Sequence, residues 1–282
     1  MELSTRYATT PATAPAAPSS PVPASDRKPL PFELSTDELT DPVTPEPVTV
    51  TGPAPVSEPS TPAANVIESR DEAPSEPSAE EVLHRAAREA NAHGDTRRAR
   101  TIYRELLGLN PSHVRARNNL ALLLEQQGDH EQALKELDTC LTYEPGNPQV
   151  LVNRAAVLGA MARYRDAEKD LNQVLAVDQG NAEAHFNLGL VVSRRGLWSR
   201  AIPHLRKAIE LDPSRGTIHF YLGEALNNVD DLQGAMQAFQ RAAELRPGFG
   251  KALYGMGIIL DRMNRPDEAA QMYRRSRELA NR

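Results

Sequence analysis

A spacing of 34 residues recurs through most of this chain and constrains its fold more than any other feature of the sequence. Four prolines follow this step, at Pro111, Pro145, Pro213 and Pro247, with Gln179 at the remaining interior position. One column of the same register holds alanine in six consecutive units, at Ala99, Ala133, Ala167, Ala201, Ala235 and Ala269. A second column is always small, at Ala87, Ala121, Ala155, Gly189, Gly223 and Gly257. A fixed period of this length predicts stacked copies of one supersecondary unit.

Each unit is predicted to form two helices joined by a short turn. Around Ala121, and again around Ala133, apolar residues recur at three- and four-residue steps, which places each set on one helical face. Gly128 begins the turn between these two helices, and equivalent turns begin at Gly94, Gly196, Asp230 and Asn264. The proline column ends the second helix because proline lacks the N–H that a helix needs. Ser78 with Glu81 three residues later is a capping box for the first helix.

The pattern resembles the tetratricopeptide repeat family over residues 80–282. The resemblance rests on the period, the two small columns, the closing proline and a large residue four positions after each column alanine: Tyr103, Leu137, Leu171, Leu205, Phe239 and Tyr273. It implies an all-α fold, a right-handed superhelical α-solenoid of helix-turn-helix units. The six predicted repeats span 80–113, 114–147, 148–181, 182–215, 216–249 and 250–282. The Trp and Tyr that the family favours in the first helix are mostly replaced here by other apolar residues.

Residues 1–79 differ in composition from the rest of the chain. They hold 16 of the 23 prolines, and they contain 4 basic against 12 acidic residues. Their only aromatic residues are Tyr7 and Phe32, so this segment cannot bury enough apolar surface to offset its conformational entropy. We predict a disordered, acidic tail rich in Pro, Ala, Ser and Thr.

Several classes of function lack their sequence signals. We find no export signal and no apolar run near the roughly 18 to 20 residues that cross a bilayer, so we expect a cytoplasmic protein with no membrane insertion. From residue 80 onward 28 basic residues face 26 acidic ones, which gives no reason to expect nucleic acid. Cys140 lies on an apolar helix face as a buried thiol, and the seven histidines lack metal-site spacing. We therefore expect no metal, no cofactor and no catalytic site, and the excess of Arg over Lys suggests a bacterial source.

The resemblance implies that the first helix of each unit lines a concave groove. One column there reads Arg85, Asn119, Asn153, Asn187, Tyr221 and Gly255. Three asparagines at one depth would bond the main chain of an extended peptide, since each amide carries donors and an acceptor. The alternative is that asparagine is merely a tolerated polar residue at these positions.

The neighbouring column becomes aromatic toward the carboxyl end of the chain. It reads His84, Asn118, Val152, Phe186, Phe220 and Tyr254. Three exposed aromatic rings in a row would anchor apolar side chains of a ligand. The alternative is that they pad the inner wall of the groove.

At the amino-terminal end, Arg85, Arg88 and Arg115 come from adjacent first helices and form a basic mouth suited to a carboxylate or an acidic segment. A solvated basic face is the alternative. The tail itself carries such a segment at 31–40, which either docks on the groove or belongs to a plain spacer. The family's clamp for chaperone tails is not expected, because only Asn119 matches its residues.

We predict a non-catalytic protein–protein interaction scaffold that binds an extended peptide or protein segment, of unknown identity, in the concave groove. The predicted groove residues are Arg85, Arg88, Arg115, Asn118, Asn119, Asn153, Phe186, Asn187, Phe220, Tyr221 and Tyr254. The alternative is a structural assembly subunit that associates through its convex face or its uncapped last repeat, including self-association through Met272, Tyr273 and Leu279.

Overall fold

The computed structural model describes residues 77–281, and within them the chain forms twelve α-helices and no strand. In chain order these are α1 (Ala79–Ala92), α2 (Thr96–Leu109), α3 (Val114–Gln126), α4 (His130–Tyr143), α5 (Pro148–Ala160), α6 (Tyr164–Val177), α7 (Ala182–Arg194), α8 (Trp198–Leu211), α9 (Gly216–Asn228), α10 (Leu232–Leu245), α11 (Gly250–Arg262) and α12 (Pro266–Ala280). The predicted tail lies outside the described residues up to residue 76. The predicted repeat boundaries stay a prediction.

The helices pack as six successive pairs. Each first helix (α1, α3, α5, α7, α9, α11) packs on the second helix that follows it, and each second helix packs on the first helix of the next pair. Neighbouring first helices from α3 to α11 also touch one another, whereas successive second helices in the described part make no contact of that extent. Because the first helices approach more closely, they lie on the inner side of the curve. The all-α solenoid is confirmed.

The columns of small residues allow the paired helices to approach closely. All six alanines of the first column, Ala99, Ala133, Ala167, Ala201, Ala235 and Ala269, are fully buried. In the second column, a Cβ placed on Gly189 would lie 2.7 Å from Cγ of Leu205, and one on Gly223 would lie 2.8 Å from Cδ1 of Phe239. These distances are shorter than van der Waals contact, so a side chain at either glycine would force the two helices apart.

Side-chain caps fix where the helices begin. The capping box is confirmed: Ser78 Oγ accepts from the Glu81 N–H at 3.2 Å, and Glu81 Oε2 accepts from the Ser78 N–H at 3.1 Å. Three second helices begin after an aspartate whose carboxylate accepts a backbone N–H of the first turn, at Asp95, Asp129 and Asp231. Such caps satisfy amide groups that a helix leaves without an internal partner.

The turn inside each pair places one residue in the left-handed region of backbone conformation. Three of these residues are glycines, and the other three are Ala162, Asp230 and Asn264, with φ of 57°, 67° and 59°. All six follow the 34-residue step. Five of these turns are predicted from the sequence by a Gly, Asp or Asn, whereas the turn at Ala162 was not, because alanine carries no turn signal. A residue with a Cβ costs roughly 1–2 kcal/mol in this conformation.

We predict that Ala162→Gly stabilises the solenoid by roughly 0.5–1 kcal/mol, because glycine removes the left-handed penalty while adding some entropy to the unfolded chain. The matched opposite change is Gly128→Ala, at the equivalent turn with no heavy atom near its Cβ position, and it should destabilise the protein. Urea denaturation followed by circular dichroism measures both changes. A lower unfolding midpoint for Ala162→Gly would contradict the assigned turn conformation.

Candidate functional site

The predicted groove residues all lie on first helices, but they fall into two groups by exposure. The side chains of Arg85, Arg88 and Arg115 are exposed, and those of Asn119 and Tyr254 are half-buried. The remaining residues are buried: Asn118, Asn153, Phe186, Asn187, Phe220 and Tyr221. The groove surface that a ligand can reach is therefore smaller than the predicted set.

The asparagines form contacts between neighbouring first helices instead of one ladder at equal depth. Asn153 Nδ2 donates to Oδ1 of Asn118 at 2.9 Å, which joins α5 to α3, while Gln149 Nε2 donates to Oδ1 of Asn153 at 3.3 Å. The half-buried Asn119 donates to the Tyr103 hydroxyl at 3.3 Å. The expectation of equal depth is wrong, because Asn153 is drawn into the interface between first helices by its bond to Asn118.

Asn187 belongs to a small polar group that includes a charge pair. Its Nδ2 donates to Oε1 of Glu183 at 3.2 Å, and the other carboxylate oxygen of Glu183 accepts from Arg215. The Arg215 guanidinium also lies 4.4 Å from the centre of the Phe186 ring. This cation–π contact and ion pair hold α7 against the turn that precedes α9.

The expectation of three exposed aromatic rings is wrong for two of them. Phe186 is 1% exposed and Phe220 is 5% exposed. The Phe220 ring centre lies 5.0 Å from that of Phe249 and 5.6 Å from that of Phe239, so Phe220 packs between helices of successive pairs. Tyr254 alone of the three remains half-buried. Phe186 and Phe220 therefore contribute to the inner wall by packing, as the alternative interpretation had it.

Positively charged side chains converge at the amino-terminal end of the groove. The rings of His84 and His113 stack with centres 5.4 Å apart, and Nε2 of His84 lies 3.4 Å from Nδ2 of Asn119. Burial lowers the pKa of His84, and the positive charges of His113, Arg88 and Arg115 lower it further. We call His84, Arg85, Arg88, His113 and Arg115 the cationic cluster.

A third column on the first helices was missed by the sequence analysis. It begins at Arg88 and continues through half-buried residues at 34-residue steps: Leu122, Ala156, Leu190, Glu224 and Ile258. Each lies four positions after a residue of the aromatic column, so the two columns share one helical face. The repeat register contained this signal. We call these five half-buried residues the inner column.

Glu224 is the one acidic residue of the inner column, and its ionisation is perturbed. Burial raises the pKa of its carboxyl group to about 7, while the positive charges of Arg194 and Lys251 act in the opposite direction. Arg194 lies at the end of α7 and Lys251 at the start of α11, so charges from both neighbouring first helices act on this carboxyl group.

We predict that Glu224→Gln reduces the pH dependence of stability. The folded pKa of about 7 lies above the ordinary value of 4.5, so the folded state holds the proton more tightly. Stability from this group is full below about pH 4.5 and falls as pH rises to about 7 and beyond, by on the order of 3 kcal/mol. At higher pH the variant should be the more stable protein. Urea midpoints across this range, with the exposed Glu105→Gln as control, test the sign; a loss of stability at high pH would contradict it.

Outside the groove, His185 lies beside His204, and Cys140 is a buried thiol. Nδ1 of His185 lies 3.3 Å from Nδ1 of His204 in the same helix pair, so its neighbour is His204 and not the equivalent His219 of the next unit. Burial raises the pKa of the Cys140 thiol to about 11. Within residues 77–281 no group of three or more His, Cys, Asp or Glu is placed to hold a metal ion.

A cavity of about 530 Å³ lies elsewhere on the solenoid and shares no residue with the predicted groove set. Its walls come from α6, the turn before α7, α7 and α8, and they are Leu175, Gln179, Gly180, His185, Lys207 and Leu211. In the same described part of the chain, no helix combines the length and the apolar character that a bilayer-spanning segment requires.

Comparison with known families decides where this chain belongs. One model described as tetratricopeptide repeat matches residues 84–148, 152–215 and 191–248, and a second with the same description matches residues 229–281. The chain belongs to the tetratricopeptide repeat family. A search of curated proteins found no significant match.

Solved structures support the fold. MamA from Desulfovibrio magneticus RS-1, from residue 41 to its end, is 22% identical with a TM-score of 0.54, covering 60% of this chain and 95% of that one. PilF of Pseudomonas aeruginosa is 20% identical with a TM-score of 0.62, covering 69% and 88%. YrrB, described as a TPR protein with an unusual peptide-binding site, is 22% identical with a TM-score of 0.50, covering 63% and 91%. At this level of sequence identity the likeness shows a shared fold. Tetratricopeptide repeat proteins are generally non-catalytic scaffolds that bind protein partners.

Proposed function

We propose that this chain binds an extended peptide or protein segment along the inner face of its first helices. The observation that carries the proposal is the inner column, in which Leu122, Ala156 and Leu190 follow one another on α3, α5 and α7 with their side chains half-buried. Apolar side chains in line on a concave surface offer contacts that an extended ligand reaches from several repeats at once.

The asparagines provide a means of holding the ligand's main chain. A side-chain amide carries two N–H donors and a carbonyl acceptor. The bond to Asn118 uses one N–H of Asn153, and the bond to Glu183 uses one N–H of Asn187. Asn119 is half-buried and is the amide that a ligand carbonyl reaches most readily, whereas Asn153 and Asn187 are buried and offer little surface to a ligand. Main-chain recognition of this kind tolerates variation in the ligand's side chains.

The charges at the two ends of the face set a preference among ligands. Arg85, Arg88 and Arg115 favour acidic residues at the amino-terminal end, while the middle of the inner column is uncharged. Glu224 lies between Arg194 and Lys251 toward the other end. The ligand that best fits this arrangement has an apolar middle and acidic residues on the side that meets α1 and α3.

We predict that peptides selected from a displayed random library on the full chain bind through the inner column. Leu190→Glu places a charge among its apolar side chains and should weaken binding of a selected peptide by about tenfold or more, equivalent to about 1.4 kcal/mol. The matched control is Leu211→Glu on α8, where leucine is exposed on a second helix. Fluorescence anisotropy measures the affinities.

The asparagine contribution needs a separate variant. Asn119→Ala combined with Asn187→Ala leaves the Asn153–Asn118 bond intact, and it should also weaken binding of the selected peptide. Circular dichroism checks that every variant keeps its helicity. If Leu211→Glu weakens binding and Leu190→Glu does not, the groove is not the working surface.

A specific observation favours a second candidate function, assembly through the outer surface. Large apolar side chains are exposed at 34-residue steps near the carboxyl ends of four second helices: Leu109, Tyr143, Val177 and Leu211. Exposed apolar residues aligned along one surface are typical of association sites. The last repeat fits assembly less well, because Tyr273 is half-buried, packs on Tyr254 with ring centres 5.2 Å apart and donates to Asp261.

If assembly is the function, the full chain should sediment as a dimer or a larger species, and Val177→Lys should shift it toward monomer, since Val177 is the most exposed member of the column at 84%. Ala176→Lys introduces the same charge one residue away on an exposed position and is the control. Analytical ultracentrifugation separates the species. Sedimentation of the unmodified chain as a monomer at high concentration would remove this candidate.

A further inference from the structure

The cationic cluster brings positive charge from three elements of the fold to one place. Arg85 and Arg88 lie three residues apart on α1, Arg115 lies on α3, and His113 is the cap residue that precedes α3. The rings of His84 and His113 stack on each other, with the Tyr103 hydroxyl and the Asn119 amide alongside. Arg88 and Arg115 both act electrostatically on His84, which places the two guanidinium groups near one imidazole.

The charges of this cluster are not neutralised by the solenoid. In the part of the chain that the structure describes, Arg85, Arg88 and Arg115 form no ion pair, and all three are exposed. Of the acidic residues on α1, Glu80 accepts from Asn110, Glu81 belongs to the capping box, and the exposed Glu89 forms no ion pair with the arginines in the described part of the chain. By contrast, arginines in the middle of the solenoid pair with acidic residues of neighbouring helices, as Arg154 does with Asp138 and Asp170.

Two guanidinium groups near a half-buried imidazole, with a third on the same helix as one of them, are suited to carboxylates. Arginine donates two parallel N–H groups to a carboxylate, and such charge-assisted bonds are stronger than neutral ones. Since the three arginines are spread over two first helices, one carboxylate cannot satisfy them all. The matching ligand is a short segment with several acidic residues and some apolar ones.

The chain itself contains such a segment upstream of α1. Residues 31–40 carry three carboxylates, at Glu33, Asp37 and Glu38, together with apolar Phe32, Leu34 and Leu39. The residues before position 80 hold 4 basic against 12 acidic residues, and those from position 80 onward hold 28 against 26. The sign of the charge is therefore complementary between this segment and the cluster.

The stretch of chain between residues 31–40 and α1 is long enough for the segment to reach the cluster. Residues 41–76 separate the segment from Pro77, and 36 residues can span at most about 120 Å. The cluster lies on α1 and α3, and α1 is about 21 Å long, so the connection is long enough to reach it. A tethered ligand also binds at an effective concentration far above that of most free partners.

We propose that the cationic cluster binds residues 31–40 of the same chain, and that this segment competes with acidic ligands for the amino-terminal end of the groove. The contact itself does not depend on the proposed peptide-binding function, but the competition rests on it. The bond types are carboxylate to guanidinium at Arg85, Arg88 and Arg115, with a carboxylate beside the half-buried His84.

The test uses a fluorescein-labelled peptide of residues 29–42 and the full chain. In the first variant, Glu33→Gln, Asp37→Asn and Glu38→Gln remove the charge of the tethered segment. The labelled peptide should bind this variant about tenfold more tightly than it binds the unmodified chain, because the tethered copy no longer competes. Adding Arg85→Gln, Arg88→Gln and Arg115→Gln to the variant should remove this binding.

Matched controls distinguish an effect of these particular residues from a general effect of removing charge. Arg206→Gln, Arg274→Gln and Arg275→Gln remove three exposed arginines from second helices and should leave the binding in place. Glu46→Gln, Glu58→Gln and Glu68→Gln remove three acidic residues outside the segment and should leave the competition in place. Equal binding of the peptide to the unmodified chain and to the first variant would overturn the proposal, as would binding that survives loss of the cluster arginines.

The pH dependence gives a second readout. A bound carboxylate favours protonated His84, against the effect of His113, Arg88 and Arg115, so binding should tighten as pH falls from about 7.5 to about 5.5, where Asp and Glu stay ionised. His84→Gln should flatten this dependence, and an unchanged slope would contradict the assigned contact. None of these outcomes involves Leu190. If this contact is not found, the groove test with Leu190→Glu is unaffected, and if the groove test fails, the test of this contact is unaffected.

Discussion

Close contact between paired helices is the constraint on which the rest of this structure depends. At Gly189 and Gly223 the partner side chain already occupies the space that a Cβ would need, and the column alanines are fully buried. The small columns recur in all six pairs, and each pair packs on the next. Phe239 shows the result, because it lies against Gly223 of its own pair and Gly255 of the following one.

The residues that line the inner, concave face also join one first helix to the next. Where first helices touch, their side chains are buried by packing, as for Phe220, or engaged in internal hydrogen bonds, as for Asn153. Four positions further along the same helices the side chains are half-buried and can still meet a ligand. Function on this face is therefore confined to what packing leaves accessible.

Charge is distributed unevenly along the solenoid. In its middle, ion pairs such as Arg154 with Asp170 tie neighbouring helices together, and the Asp170 carboxylate is buried beneath the Arg154 guanidinium. At its beginning, Arg85, Arg88 and Arg115 form no ion pair with the described residues, and the chain's excess of acidic over basic residues lies before residue 80. The net charge before residue 80 and the arginines at the start of the solenoid are therefore opposite in sign.

The sequence by itself determined the repeat, the helix pairs and their caps, because the 34-residue period, the small columns and Ser78 with Glu81 are local or periodic signals. Only the tertiary structure decided which inner residues remain accessible. Phe186 and Phe220 share a column with Tyr254, yet burial differs because it depends on Phe239, Phe249 and Arg215 from other helices. The left-handed turn at Ala162 was likewise set by the geometry of the pair, since alanine has no preference for that conformation.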